Sequence, residues 1–147
     1  MKKIIYIILI IIFLTACFVS KEINVKDEEK ENKNMNEITL KINDNDYKLI
    51  LEDNETVSDL INRLPLNLSM NELNGNEYYS YLDFTLKDNP ENINNIEVGD
   101  VMLYGDNCIV IFYKSFTTTY KYTKIGHIDS IDNLEQDLKN GELNLVL

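Results

Sequence analysis

From Phe112 to Gly126 the chain reads FYKSFTTTYKYTKIG. The stretch gathers Tyr113, Lys114, Ser115, Phe116, Tyr120, Lys121 and Tyr122. A serine beside a lysine is the material of a nucleophile and its base. Aromatic rings with polar neighbours are the material of a ligand-holding surface. Adjacent residues of an extended strand face opposite sides, so Lys114 and Ser115 are not expected to meet. The same alternation sets Tyr120 and Tyr122 on one face and Lys121 on the other. Aromatic residues also favour strands for packing reasons alone, so cross-strand pairs with wetted hydroxyls are the competing reading.

A second candidate is Asn74, Gly75, Asn76 and Glu77. These residues form either a tight turn whose asparagines bind backbone or a polar lip with Glu77 accepting from a ligand. His127 has no local partner in sequence and reads as a strand-end or turn residue rather than a base. The stretch DNDYK at 44–48 lacks the glycine and distal glutamate of a calcium loop. One histidine and the two cysteines, Cys17 and Cys108, make a zinc site unexpected. Cys108 lies in NCIVIFY, which reads as a buried strand with the thiol as a small core hydrophobe. No cofactor and no metal are expected.

Fourteen basic residues face 25 acidic ones, a net charge of −11. That balance argues against nucleic acid, whose phosphates would be repelled. It argues equally against electrostatic attachment to anionic lipid.

The N-terminus reads MKKIIYIILIIIFLTAC. Lys2 and Lys3 precede an apolar run, Ile4 to Leu14, and then the small residues Thr15 and Ala16. The run is about half the roughly twenty residues a bilayer-spanning helix needs, and it fits a secretory signal. LTAC resembles the lipobox of bacterial lipoproteins. In that family the thiol accepts a diacylglyceryl group, and cleavage leaves the lipidated cysteine as the first residue. The resemblance implies Cys17 as the lipidation site and palmitate among the acyl chains. It further implies a protein on the extracytoplasmic face of the cell membrane. Two acyl chains suffice for stable anchoring. A plain signal peptide with a coincidental cysteine and an uncut anchor are the alternatives. Residues 18–37 are mostly Lys, Glu, Asp and Asn, and read as a disordered tether or a short amphipathic helix.

Alternation begins at Ile38. ITLKI (38–42) and YKLIL (47–51) flank NDND, a link of hairpin length. TVSDLINRL follows at helical spacing, with Thr56 and Asp59 resembling a capping box and Pro65 as its stop. LNLSM (66–70) alternates again, and residues 87–97 read as a polar loop around Pro90. VGDVMLYG, ending at Tyr104 and Gly105, CIVIFYKSF and TYKYTKI read as strands, the last broken by Gly126. Ser130 opens a short helix with Ile131, Leu134 and Leu138 on one face and Gly141 past its end, and LNLVL closes as a strand. The fold class expected is mainly β, a closed barrel with two short helices over its openings.

LNGNEYY at 73–79, GDVMLYG at 99–105 and FYKSFTTTYKYTKIGHID at 112–129 resemble the bacterial cyclophilin-like domain family in order and spacing. Two positions depart from it: Tyr78 stands where lysine is frequent, and His127 where arginine is. The resemblance implies a small barrel similar to that of the cyclophilin prolyl isomerases. It divides the chain into a signal at 1–16, a lipidated cysteine and tether at 17–37, and a cyclophilin-like domain at 38–147. Prolyl isomerisation needs a guanidinium beside the twisting amide. The only arginine, Arg63, falls near the end of an expected helix rather than on a strand.

The reading is a lipid-anchored, non-catalytic binding module. Its partner is a peptide, a small ligand or another envelope protein. The expected ligand residues are Asn74, Asn76, Glu77, Tyr104, Tyr113, Phe116 and Tyr120. The alternatives are a weak prolyl isomerase acting on exported proteins and an accessory subunit of an envelope protein.

Overall fold

An asparagine-led turn starts the architecture. In the computed structural model, which describes residues 36–139 and 142–146, β1 (Glu37–Ile42) and β2 (Asn45–Leu51) form a hairpin. Its two-residue turn places Asn43 at φ 54°, a left-handed conformation that asparagine tolerates well. Glu37 already belongs to β1 and its carboxylate lies 2.6 Å from the Lys48 amine, so the expected tether boundary moves back by one residue. Residues 1–35 of the expected signal and tether, with Cys17, lie outside the described residues.

Helix α1 (Glu55–Ile61) is capped two residues earlier than the Thr56–Asp59 spacing predicts. The Asn54 side chain accepts from the Val57 N–H at 2.9 Å. Thr56 is buried and donates its hydroxyl to the Lys87 carbonyl, and Asp59 accepts from Arg63 and from the Lys87 N–H. The capping role passes to asparagine because Thr56 is claimed by a distant strand connection.

The chain continues through β3 (Leu66–Ser69), β4 (Asn71–Leu73) and β5 (Glu77–Tyr81). The expected polar loop at 87–97 instead contains two short strands, β6 (Glu91–Asn92) and β7 (Asn95–Ile96). Then come β8 (Asp100–Tyr104), β9 (Cys108–Phe112), β10 (Phe116–Thr117) and β11 (Lys121–Ile128). Helix α2 (Leu134–Leu138) and β12 (Glu142–Val146) complete the chain. Helix α2 starts four residues later than Ser130, after Asn133 adopts a left-handed φ of 67°. Leu134 and Leu138 are buried, whereas Ile131 is exposed.

The main sheet runs β3-β12-β1-β2-β11-β8-β9-β5-β4, with antiparallel pairing throughout. It is curled but not a closed barrel, which corrects the expectation of closure. Its two edge strands, β3 and β4, are joined through Met70 alone. An antiparallel ladder needs a turn and a parallel one needs a crossover, so strands joined by one residue cannot pair with each other.

Both faces of the sheet's middle are covered. Ile109 and Ile111 of β9 join the main core with Leu40, Leu49, Leu60 and Leu103. Cys108, Val110 and Phe112 of the same strand join a second cluster with Ile96, Met102 and Tyr122. Every residue of β9 is therefore buried. Strand β11 runs straight through Gly126, contrary to the expected break. Its register against β8 shifts between Lys124 and Gly126, and a bulge of this kind flips the alternation. That is why Ile125 and Ile128, three residues apart, both enter the main core.

Candidate functional site

The face opposite the main core carries a cavity of about 300 Å³. Six strands and two connections build it. Strand β9 supplies the floor with Cys108 and Val110. Strand β5 supplies one wall with Glu77, Tyr79 and Tyr81, which share a face because side chains alternate. Tyr104 at the end of β8 and Tyr122 of β11 form the opposite wall, extended by Tyr120 and by Phe116 of β10. Leu73 at the end of β4, with Asn74 and Asn76 of the β4–β5 connection, makes the lip.

The aromatic side is continuous. Tyr104 lies edge-on to Tyr120 with ring centroids 6.0 Å apart, and 5.6 Å from Tyr122. Tyr122 meets Phe112 at 5.5 Å, and Phe112 meets Phe116 at 5.7 Å. Tyr79 and Tyr81 pair across the cavity's other wall at 5.7 Å. Such offset and edge-to-face pairs add roughly 0.5–1.5 kcal/mol each beyond their buried area.

The polar side is unbalanced. Glu77 is only 8% exposed. No described group donates a hydrogen bond to its carboxylate; burial raises its pKa above the usual range, and the charge of Glu72 raises it further. The side-chain oxygen of Asn76 is buried without a partner. A buried polar atom normally finds a partner, so the orphaned Asn76 oxygen next to a carboxylate that lines the cavity marks a site. Burial, followed by the charge of Glu77, pushes the Cys108 thiol up to about 11. Burial, again with Glu77 next, pushes the Tyr122 phenol up to about 12. Both stay protonated at neutral pH. Among the described residues no three His, Cys, Asp or Glu side chains group as a metal site requires.

Six of the seven residues expected from the sequence, Asn74, Asn76, Glu77, Tyr104, Phe116 and Tyr120, line this one cavity. Tyr113 does not. It packs into the main core and donates its hydroxyl to Glu72 at 3.2 Å. Lys114 and Ser115 do not meet. The Lys114 amine lies over the Tyr113 ring, while the Ser115 hydroxyl donates to Glu97 and accepts from the Val98 N–H. His127 has the partner its local sequence does not reveal, with Nδ1 3.1 Å from an Asp100 oxygen. Tyr79 and Tyr81 were not among the expected residues, although EYYSY at 77–81 carries the signal: with Glu77 they repeat at a period of two.

Residues 40–147 match the family model described as the cyclophilin-like family. The chain belongs to that family. Residues 1–17 match the prokaryotic membrane lipoprotein lipid attachment site, which ends on Cys17. The protein is thus a membrane-anchored lipoprotein carrying a cyclophilin-like domain. No curated protein and no solved structure gives a significant match. Among the described residues no helix is long and apolar enough to cross a membrane. Within the cyclophilin-like domain, Arg63 holds Asp59 and sits 4.4 Å over the Phe84 ring; neither partner lines the cavity.

Proposed function

We propose that this lipoprotein is held on the extracytoplasmic face of the cell membrane by a diacylglyceryl group on the Cys17 sulfur. Its tyrosine-walled pocket binds a peptide or small ligand there without transforming it. The observation that carries the reading is the pairing of a buried, unpartnered carboxylate with an exposed aromatic wall in one cavity. A soluble protein keeps such a pair only at a cost in stability, because the carboxylate is desolvated and the rings are wetted. A ligand relieves both.

The reading is non-catalytic because the groups at hand are poor reactants. A thiol with a pKa of about 11 is scarcely ionised at neutral pH and attacks slowly. The guanidinium that amide twisting would call for is engaged with Asp59 and Phe84.

Two measurements test this. Palmitate labelling with protease treatment of intact cells should place label on Cys17 and leave the domain open to cleavage. Loss of neither label nor localisation in Cys17→Ser would overturn the anchor. NMR titration of the full chain in detergent with short prolyl and lysyl peptides should shift signals of residues 74–77 and 116–122. Silence from every peptide would overturn ligand binding, and accelerated Xaa-Pro exchange would overturn the non-catalytic part.

A further inference from the structure

The pocket offers acceptors and no cations. Among the described residues the Glu77 carboxylate has no donor, and beside it the Asn76 side-chain oxygen is buried without a partner. No lysine, arginine or histidine lines the cavity. Glu72 stands close enough to act on the Glu77 charge, and its own carboxylate is fixed by the Tyr113 hydroxyl and the Gly75 N–H. Two neighbouring carboxylates exclude an anionic ligand by repulsion. A neutral amide donor would satisfy the Asn76 oxygen but leave the Glu77 charge buried and unpaired, which is the costly element.

The remaining walls suit a positive group. Tyrosine faces are electron-rich and attract an ammonium within about 6 Å of the ring centre. Tyr79 and Tyr81 follow Glu77 on the same face of its own strand, and Tyr104, Tyr120 and Tyr122 line the cavity with them. The cavity's volume of about 300 Å³ lies at the small end of ligand sites, which run roughly 300–1,000 Å³. It suits one head group or one side chain rather than a bulky cofactor. The chain's net charge of −11 draws cations toward it.

We infer that the pocket takes a protonated alkylamine, with Glu77 as its counter-ion, Asn76 as a second acceptor and the tyrosine rings as its walls. This rests on the pocket being a ligand site and names the chemistry of what enters it. The amine belongs either to a lysine side chain of a peptide or to a free small amine; the recognition is the same in both.

The test uses the full chain in detergent, observed by NMR at residues 74–81 and 104–122. Three probes are titrated: Nα-acetyl-lysine methylamide, its neutral isostere Nα-acetyl-norleucine methylamide, and n-butylamine. The lysine derivative should bind at least about tenfold tighter than the norleucine one, and Glu77→Gln should remove that difference. Glu77→Gln deletes a buried unpaired charge and is expected to fold. Tyr104→Ala removes a half-exposed wall without touching the carboxylate, and should weaken the cation severalfold. Butylamine as tight as the lysine derivative assigns the source to a free amine, and a clear advantage for the lysine derivative assigns it to a peptide. Equal binding of the lysine and norleucine derivatives overturns the inference while leaving a ligand site in place. So does cation binding that survives Glu77→Gln. Silence from all three, and from prolyl peptides, removes the ligand site as well.

Discussion

Tyr113 donates its hydroxyl to Glu72 at 3.2 Å, and its backbone N–H to the Asn76 carbonyl at 3.0 Å. The Glu72 oxygen it holds also accepts from the Gly75 N–H. A residue that does not line the cavity therefore fixes the lip that does. Tyr113→Phe should cost about 1 kcal/mol in urea unfolding, the usual net worth of a buried hydrogen bond. It should also speed amide exchange at Gly75 and Asn76 while leaving exchange in β1 and β2 unchanged. Unchanged exchange at the lip would show that the hairpin holds itself.

Alkaline pH should unfold the domain through the groups on the two faces of the β8–β9 region. Burial, with the Glu72 hydrogen bond next, pushes Tyr113 up to about 12. Tyr122 is pushed up to about 12 and Cys108 to about 11, both chiefly by burial. A raised folded-state pKa means that the folded chain holds the proton more tightly than the unfolded chain. That contribution is full below the ordinary values of 10.0 and 9.0, and it is lost as pH rises through 11 to 12. Stability followed from pH 8 upward should fall across that window, with tyrosinate absorbance for these residues appearing together with loss of structure. Full ionisation in a still-folded chain would contradict the burial of the two phenols.

Glu77 sets the opposite end of the pH scale. Its pKa is raised by burial and by Glu72, with Cys108 and Tyr122 as the other titratable groups facing it. The sign is again that of a raised group: its contribution is full below 4.5 and lost as pH rises through the folded value. At pH 7 the carboxylate is a burden on the fold. Glu77→Gln should therefore be more stable than the natural chain at neutral pH, with the gap closing as pH falls toward 4.5. A variant that is stabler and binds less is the signature of a residue kept for binding. A less stable Glu77→Gln would mean that the carboxylate has a structural partner.

Particular residues show what the sequence could reveal. Asn43 and Asp44 between two alternating runs announced the first hairpin, because turn chemistry and period two are local properties. The loop at 87–97 hid β6 and β7, because two-residue strands have no period and their partners, β11 and β10, lie far along the chain. That the barrel stays open was not legible either, since it depends on the edge strands β3 and β4 being joined through Met70 alone. Most of the pocket was foreshadowed because aromatic and polar residues cluster in LNGNEYY and FYKSFTTTYKY. Tyr113 was misplaced for a reason of parity. Phe112 faces the second cluster, so its neighbour must face the main core. Composition alone does not say which face holds the cavity.

Helix α2 is tied to the first hairpin through one carboxylate. Asp137 accepts from the Tyr47 hydroxyl and, on the same oxygen, from the Asn45 amide at 2.9 Å. Its backbone carbonyl accepts from Asn43 at 2.6 Å. Tyr47→Phe should cost about 1.5 kcal/mol, as expected for a bond to a charged acceptor. Asp137→Ala should cost at least as much, because two donors lose their partner. A double-mutant cycle should return a coupling of about 1 kcal/mol. Additive losses would mean that the Tyr47–Asp137 bond does not couple the helix to the hairpin.

Two glycines separate collision from backbone conformation. At Gly126 a Cβ would collide with the Ile50 carbonyl oxygen across the β2–β11 pair, and it would also press on a Leu49 methyl at 3.1 Å. Backbone cannot rotate away as a side chain can, so two strands must part. At Gly75 no atom lies within 4 Å of the added carbon, but φ is +71°. Gly75→Ala should thus cost only the left-handed penalty, about 1 kcal/mol. Gly126→Ala should cost about 3 kcal/mol, the upper end for overpacking, and should raise amide exchange along Ile50 and Leu51. Urea midpoints for the two variants decide the matter. Equal losses would show that the bulge in β11 has room to shift, and that Gly126 is not what seats β11 against β2.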